Sequence, residues 1–273
     1  MNPLFRLDGK TAVVTGALGQ LGPIWVDALL CAGARVLAID RPDARASREY
    51  EKLGSQYDDT RLRLSHADVR DRAALEAACA ECVDAFGAPA VLVNNAGIDQ
   101  PPVAQGALGG GRRLEDIPIE VNREIFEVNA IGLFLVCQVF GRRMVEAGCG
   151  SIINIGSLYA SVSPDARFYD HLAVDPPFLK PPAYGASKAA VVNLTRYLST
   201  HWARHGVRVN ALSPGGVLGA QDEEFKRKFV DRVPLGRMAT GADLVGPLLF
   251  LASPASGYVT GIELVVDGGF TAW

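Results

Sequence analysis

The sequence predicts an α/β protein: a doubly wound parallel sheet of about seven strands with helices on both faces. Three observations carry this. Short β-branched apolar runs alternate with helical stretches of ten residues or more, the rhythm of strand–helix–strand crossovers. Apolar residues make up 49% of the chain, enough for a core on both faces of a sheet. No linker, repeat or shift in composition divides the 273 residues, so 1–273 reads as a single domain.

The elements follow in order. Residues 11–15 are a β-branched strand that runs into glycines. Residues 23–31 are apolar at helical spacing, and Gly33 ends them. Strands are expected at 34–39, 62–67 and 91–94, with a helix at 71–86 between the last two. A long helix covers 120–147, and a fifth strand 151–155. Helix 183–205 precedes strand 207–212, helices near 222–233 and 243–251 follow, and 263–266 is the last strand. Two stretches break the rhythm: 99–118, with Pro101, Pro102, Gly109, Gly110 and Gly111, and 163–182, with Pro164, Pro176, Pro177, Pro181 and Pro182. Each follows a strand and should emerge at the carboxyl edge of the sheet, where open α/β sheets bind ligands. They are expected to wall or cover a small-molecule site, with oligomer contacts as the alternative.

Charge narrows the partners. Lys plus Arg is 27 and Asp plus Glu is 30, a net charge of −3, which argues against nucleic acid or anionic membrane. Arg112 and Arg113 are too short a basic run to change this. No apolar run approaches the ~20 residues of a spanning helix, so no membrane partner is expected. Residues 1–10 lack the apolar stretch of a signal peptide, so no removed targeting segment is expected. Of the five cysteines, Cys79 and Cys82 form a C-x-x-C with no second pair, at helical spacing with Leu75 and Phe86. They are expected to be packing residues rather than metal ligands, in a reducing cytoplasm.

Chemistry concentrates in Tyr184-Gly185-Ala186-Ser187-Lys188. A tyrosine and a lysine four apart share one helix face. An ammonium beside a phenol favours the phenolate, bringing a group with a pKa near ~10 towards use as a general acid or base. Thr15-Gly16-Ala17-Leu18-Gly19-Gln20-Leu21-Gly22 opens a βαβ unit, where Gly16, Gly19, Gln20 and Leu21 can bring backbone N–H groups to a pyrophosphate. Asp40 ends the second strand; its carboxylate can accept both hydroxyls of an adenosine ribose and would repel a 2′-phosphate. NAD is therefore expected over NADP, although Arg41 could accommodate the phosphate. Asp68, with Val69 beside it, could meet an adenine or cap the next helix.

These pieces together resemble the short-chain dehydrogenases/reductases, a Rossmann-type family, over essentially the whole chain. The resemblance also rests on Asn94-Asn95-Ala96-Gly97, Val128-Asn129-Ala130, Ile153-Asn154-Ile155-Gly156-Ser157, Asn210-Ala211-Leu212-Ser213-Pro214-Gly215-Gly216-Val217, Pro234-Leu235-Gly236-Arg237 and Val266-Asp267-Gly268-Gly269. It implies that Tyr184 is the acid/base, that Lys188 lowers its pKa and holds the nicotinamide ribose, that Ser157 bonds the reacting oxygen, and that Asn129 anchors a water. It adds Asn94, Ala96, Gly97, Pro214, Gly215 and Val217 to the cofactor contacts, and a homotetramer or dimer as the assembly. The long helices would pack across one interface and the last strand near another.

Four features depart from the classical pattern. Gln20 stands where the middle glycine should. Gly156 replaces a serine. Ser157 and Tyr184 lie 27 residues apart, about twice the usual gap. Gly219 stands where a threonine is usual. The expected reaction is hydride transfer between nicotinamide and a secondary alcohol or ketone. Arg112, Arg113, Asp165, Arg167, Tyr169, Asp170, His171 and Lys180 on the loops fit a hydroxyl-rich or anionic small molecule, sugar- or polyol-like. The alternatives are a secondary-metabolite ketoreductase, a 3-oxoacyl-carrier-protein reductase and, more remotely, a non-catalytic NAD-binding regulator.

Overall fold

A computed structural model describes residues 2–100 and 111–273. Pro101, Pro102, Gly109 and Gly110 of the first loop lie outside the described residues. Seven parallel strands pair in the order β3-β2-β1-β4-β5-β6-β7. They are β1 (Thr11–Thr15), β2 (Arg35–Asp40), β3 (Leu62–His66), β4 (Pro89–Asn94), β5 (Gly150–Ile155), β6 (Val207–Pro214) and β7 (Glu263–Val266). The order reverses between β1 and β4, and the crevice outside the strand ends at that switch point is where such sheets bind dinucleotides.

Helices cover both faces: α1 (Gly22–Cys31), α2 (Arg48–Gln56), α3 (Arg72–Phe86), α4 (Ile119–Phe126), α5 (Leu133–Ala147), α6 (Pro182–Trp202), α7 (Glu223–Val230) and α8 (Gly241–Ala252). One core joins Val14, Val36 and Val93 to Trp25, Leu29, Leu244 and Leu248 of α1 and α8. The opposite core joins Val13, Leu92 and Ile152 to Leu75, Cys82, Phe140 and Val191 of α3, α5 and α6. Adjacent strand residues thus point to opposite cores, which is why the strands read as unbroken apolar runs. Cys79 and Cys82 lie in the second core, where burial pushes the Cys82 thiol up to about 12.

The expected alternation is borne out, with three differences. Helix α2 was not expected. Its sequence is polar, with only Tyr50 and Leu53 buried, so it offers little apolar periodicity. Its local signals are a Ser47 cap accepting from Tyr50 N and the acidic Glu49 and Glu51 in the first turn. The helix expected at 120–147 is interrupted by a π-helical turn, Glu127–Gly132, which contains Asn129. The continuous helical stretch Ile119–Ala147 is also long and apolar enough by composition to cross a membrane, contrary to the sequence reading. Half of its apolar window is buried, however, and α5 packs on α3, β4 and β5, as a core helix does.

Candidate active site

A cleft of about 660 Å³ runs along the carboxyl edge of the sheet, from Asp40 and Asp68 at one end to Ser157, Tyr184 and Lys188 at the other. The dinucleotide end is shaped by backbone approach. Gly16 has φ 63°, and a Cβ there would lie 2.7 Å from Ala96 Cα. A Cβ on Gly22 would lie 2.3 Å from the Ala17 carbonyl oxygen, so only glycine lets α1 start where it does. Asn95 fastens this turn: its Nδ2 donates to Thr15 O (3.1 Å) and Gly16 O (2.8 Å), and its Oδ1 accepts from Trp25 Nε1 (2.8 Å).

Asp40 reaches the cleft from the end of β2 and accepts from Leu18 N (2.8 Å) and Arg41 N (2.8 Å), which tie the carboxylate to the glycine turn. Asp68 is gripped by Arg70 (Nη2–Oδ2 2.6 Å), and this contact holds its carboxyl below the usual range. Asp68 does not cap α3; Asp71 does, accepting from Ala74 N. Gly19, Gln20, Leu21, Arg41, Val69, Ala96, Gly97, Pro214, Gly215 and Val217 also line the cleft, as the motifs implied.

Asn94 lies behind the residues that line the cleft. Its Nδ2 donates to Asn154 Oδ1 (2.8 Å) and approaches Cys137 Sγ (3.1 Å), so it braces β4 against β5 and α5. Its neighbour Asn95, which the motif contained but the reading did not single out, is the one at the cleft.

Two of the departures are compensated by partners far away in sequence. A Cβ on Gly219 would lie 2.6 Å from Gln20 Nε2, so the glutamine of the variant turn fills the volume a larger side chain at 219 would need. A Cβ on Gly156 would lie 2.2 Å from Ser213 Oγ, and Ser213 in turn donates to Glu263 (2.7 Å). A Cβ at Gly156 would have to displace the buried Ser213 hydroxyl, whereas at Gly219 the exposed Gln20 amide could swing aside.

At the other end, Ser157 follows β5, and its Oγ accepts from Tyr159 N (3.2 Å). Tyr184 and Lys188 stand one turn apart on α6. Lys188 is buried, donates through Nζ to Ile155 O (2.8 Å) and lies 6.0 Å from the Tyr184 ring centroid. Burial pulls the Lys188 ammonium down to about 8, against a smaller upward pull from Asp99. Burial likewise pushes the Tyr184 phenol up to about 12; Asp99 adds to this, and the Ser157 hydroxyl opposes it. Asn129 lies behind the cleft: its Oδ1 accepts from Ile98 N (2.8 Å) while Nδ2 donates to Ile98 O (3.0 Å) and Ser187 Oγ (3.1 Å). The π-helical turn thereby ties the loop after β4 to α6.

The 27-residue gap between Ser157 and Tyr184 folds out and returns. Phe168, Tyr169 and Phe178 of the insertion are buried against Phe225 and Phe229 of α7 and against Phe270, forming a separate aromatic core. Phe270 is thus a core residue of its own chain, whereas Trp273 is exposed. Of the loop residues expected at the substrate wall, only Tyr169 and Lys180 line the cleft. Asp165, Asp170 and His171 turn away to pair with Arg232, Lys228 and Asp222 on or beside α7, Arg167 pairs with Asp165, and Arg112 and Arg113 lie outside the cleft lining.

Comparison with known proteins agrees with this geometry. Residues 21–271 match a family model described as enoyl-(acyl carrier protein) reductase. The chain is 37% identical to galactitol 2-dehydrogenase (L-tagatose-forming) of Cereibacter sphaeroides, over 99% of this chain and 98% of that one. Among solved structures, a gluconate 5-dehydrogenase from Burkholderia cenocepacia in complex with NADP and tartrate superposes with a TM-score of 0.82 at 31% identity, covering 99% of this chain and 98% of the other. A short chain dehydrogenase from Leptospira borgpetersenii with bound NAD+ also superposes with a TM-score of 0.82, at 32% identity over 99% and 96% of the two chains. The chain therefore belongs to the short-chain dehydrogenase/reductase family, oxidoreductases that act on CH–OH groups with NAD(P).

Proposed function

We propose that this protein is an NAD-dependent polyol dehydrogenase that converts a secondary alcohol of its substrate into a ketone. The observation that carries the reading is that Ser157, Tyr184 and Lys188 meet at one end of a cleft whose other end is a glycine turn and an acidic strand end. The residues fit a dinucleotide: Gly16 and Gly22 let the turn fold tightly against Ala96 and Ala17, which keeps its backbone at the cleft, and Asp40 offers acceptor oxygens where an adenosine ribose would lie. The carboxylate favours NAD, since a 2′-phosphate would meet it charge to charge.

Bound nicotinamide supplies the hydride acceptor. Tyr184 takes the hydroxyl proton as the carbonyl forms, and Ser157 donates to the oxygen that carries charge in between. Lys188 stabilises the phenolate. With its own pKa near 8 it can pass a proton on at mildly alkaline pH. Asn129 fixes the start of α6 through Ser187, so the phenol and the ammonium keep their positions.

The relative named for galactitol favours a polyol over an acyl-carrier or secondary-metabolite substrate. The intact catalytic set weighs against a non-catalytic regulator. A homo-oligomer is supported by exposed Ile119, Phe126 and Ile131 around α4 and by Ile262 and Val265 at the β7 edge. Five free thiols fit a reducing cytoplasm. The test is reduction of NAD+ and of NADP+ by a panel of polyols, sugar acids and simple secondary alcohols, followed by absorbance. The reading expects turnover with polyols and NAD+; turnover confined to sugar acids, or to NADP+, would overturn it.

A further inference from the structure

Beside the catalytic groups lies a charged pair that the mechanism does not use. Lys180 of the insertion and Asp99 after β4 form an ion pair (Nζ–Oδ2 2.5 Å) on the cleft wall, 81 positions apart in sequence. The Lys180 side chain is 10% exposed and that of Asp99 30%. The ammonium is held between two phenol rings, 5.0 Å from the centroid of Tyr184 and 5.4 Å from that of Tyr159. The pair therefore stands beside the ring of Tyr184. Asp99 also influences both Tyr184 and Lys188, so its charge is felt at the reacting groups.

A largely buried ion pair is weak as a stabilising device, because desolvation offsets the attraction, and an apolar pair of similar volume often does as well. A pair kept on the wall of a reaction cleft calls for a ligand role. Asp99 Oδ1 accepts from Gln100 N (2.9 Å) and Oδ2 from Lys180, which leaves lone pairs on both oxygens. Lys180 has three N–H donors and directs one at Asp99. A hydroxyl group, donor and acceptor at once, can satisfy both partners. A carboxylate can use only the ammonium, whose charge Asp99 already offsets, and it would be repelled by Asp99. Among the described residues lining this end of the cleft, the other cation is Lys188, which is committed to Ile155 O.

We infer that Asp99 and Lys180 are the specificity-determining pair of this cleft: they grip a hydroxyl on the carbon next to the reacting carbinol and select uncharged polyols against sugar acids. This rests on the polyol reading given above.

The test compares substrate ratios in the full-length protein with NAD+. Wild type should prefer butane-2,3-diol to butan-2-ol, and galactitol to galactonate. Asp99→Asn and Lys180→Gln should each shrink the diol-to-alcohol ratio of kcat/KM by ~10–100-fold, the scale of a hydrogen bond to a charged group, chiefly through KM. Asp99→Asn, which leaves the ammonium uncompensated, should also raise the galactonate-to-galactitol ratio at least ~10-fold, whereas Lys180→Gln should not. Lys180→Arg should recover part of the diol preference. Binding of NADH reports folding for each variant, and if Asp99→Asn does not fold, the Lys180→Gln and Lys180→Arg pair decides. Ratios unchanged within about twofold overturn the inference whatever the absolute rates. If wild type oxidises neither galactitol nor butane-2,3-diol, the polyol reading itself fails and takes this inference with it.

Discussion

The two ends of the cleft are built from different materials. At the dinucleotide end the backbone does the shaping. Gly16 and Gly22 are fixed by contacts of 2.7 and 2.3 Å that any Cβ would make, and Asp40 is held by backbone N–H groups. At the substrate end the wall is side-chain packing: an aromatic core drawn from the insertion, α7 and the C-terminal turn, and an ion pair between distant loops. The contrast separates what is general from what is particular. A ligand common to a family demands particular residue types at particular backbone positions, whereas substrate choice is left to side chains that can vary without disturbing the sheet.

Substitutions should expose this difference. The largest effect is expected for Tyr184→Phe, which removes the proton acceptor and leaves the dinucleotide end intact: kcat should fall by ~10²–10⁴, with NADH affinity by fluorescence titration changed less than about threefold. Comparable losses in both would mean that the ends are not separable. Next, Asp40→Ser should weaken NAD by ~10–100-fold and narrow the gap to NADP, read from KM for each nucleotide with a fixed polyol. An unchanged nucleotide preference would remove Asp40 from the ribose.

Stability should respond with the opposite sign. The ammonium of Lys188 is disfavoured in the folded state, its pKa falling to about 8 from 10.5. Below pH 8 the charged form is buried at a cost. Between pH 8 and 10.5 the unfolded chain binds more protons than the folded one, so this cost is relieved as pH rises. Lys188→Met should therefore raise unfolding free energy by about 2 kcal/mol at pH 7, after allowing for the unpaired Ile155 carbonyl, while abolishing turnover. The gain should shrink in urea melts taken at rising pH across that window, and a gain constant with pH would contradict the assigned cause. The smallest effect is expected at the coupled pair: Gly219→Thr should cost less than about 1 kcal/mol, because the exposed Gln20 amide can swing aside, and part of that should return when Gln20→Gly is added. Strict additivity would mean that the two positions do not share space.

The parts legible in the sequence follow the same division. The strands, the glycine turn, Asp40, Tyr184 and Lys188 could be read because each depends on local pattern or on a residue type that chemistry requires, whereas the role of Ser157 came only from the family resemblance. Helix α2 was missed because a surface helix with only Tyr50 and Leu53 buried has almost no apolar period. The motif around 94–97 names a stretch, not which of two adjacent asparagines faces the cleft; in the fold Asn95 lines it, while the Asn94 side chain turns inward to Asn154. The pairings of Gly156 with Ser213 and of Gly219 with Gln20 join residues that only tertiary structure brings together. The charged loop residues at 165–171 looked like substrate contacts but mostly bind one another and α7, leaving Lys180, paired with Asp99, at the wall.

Following the label in a polyol deuterated only at its secondary carbons tests the account most directly. Incubated with NAD+, the protein should yield NADH carrying one deuterium by mass spectrometry, together with a ketose. Unlabelled NADH formed alongside an aldose would place the chemistry at a primary carbon and contradict it.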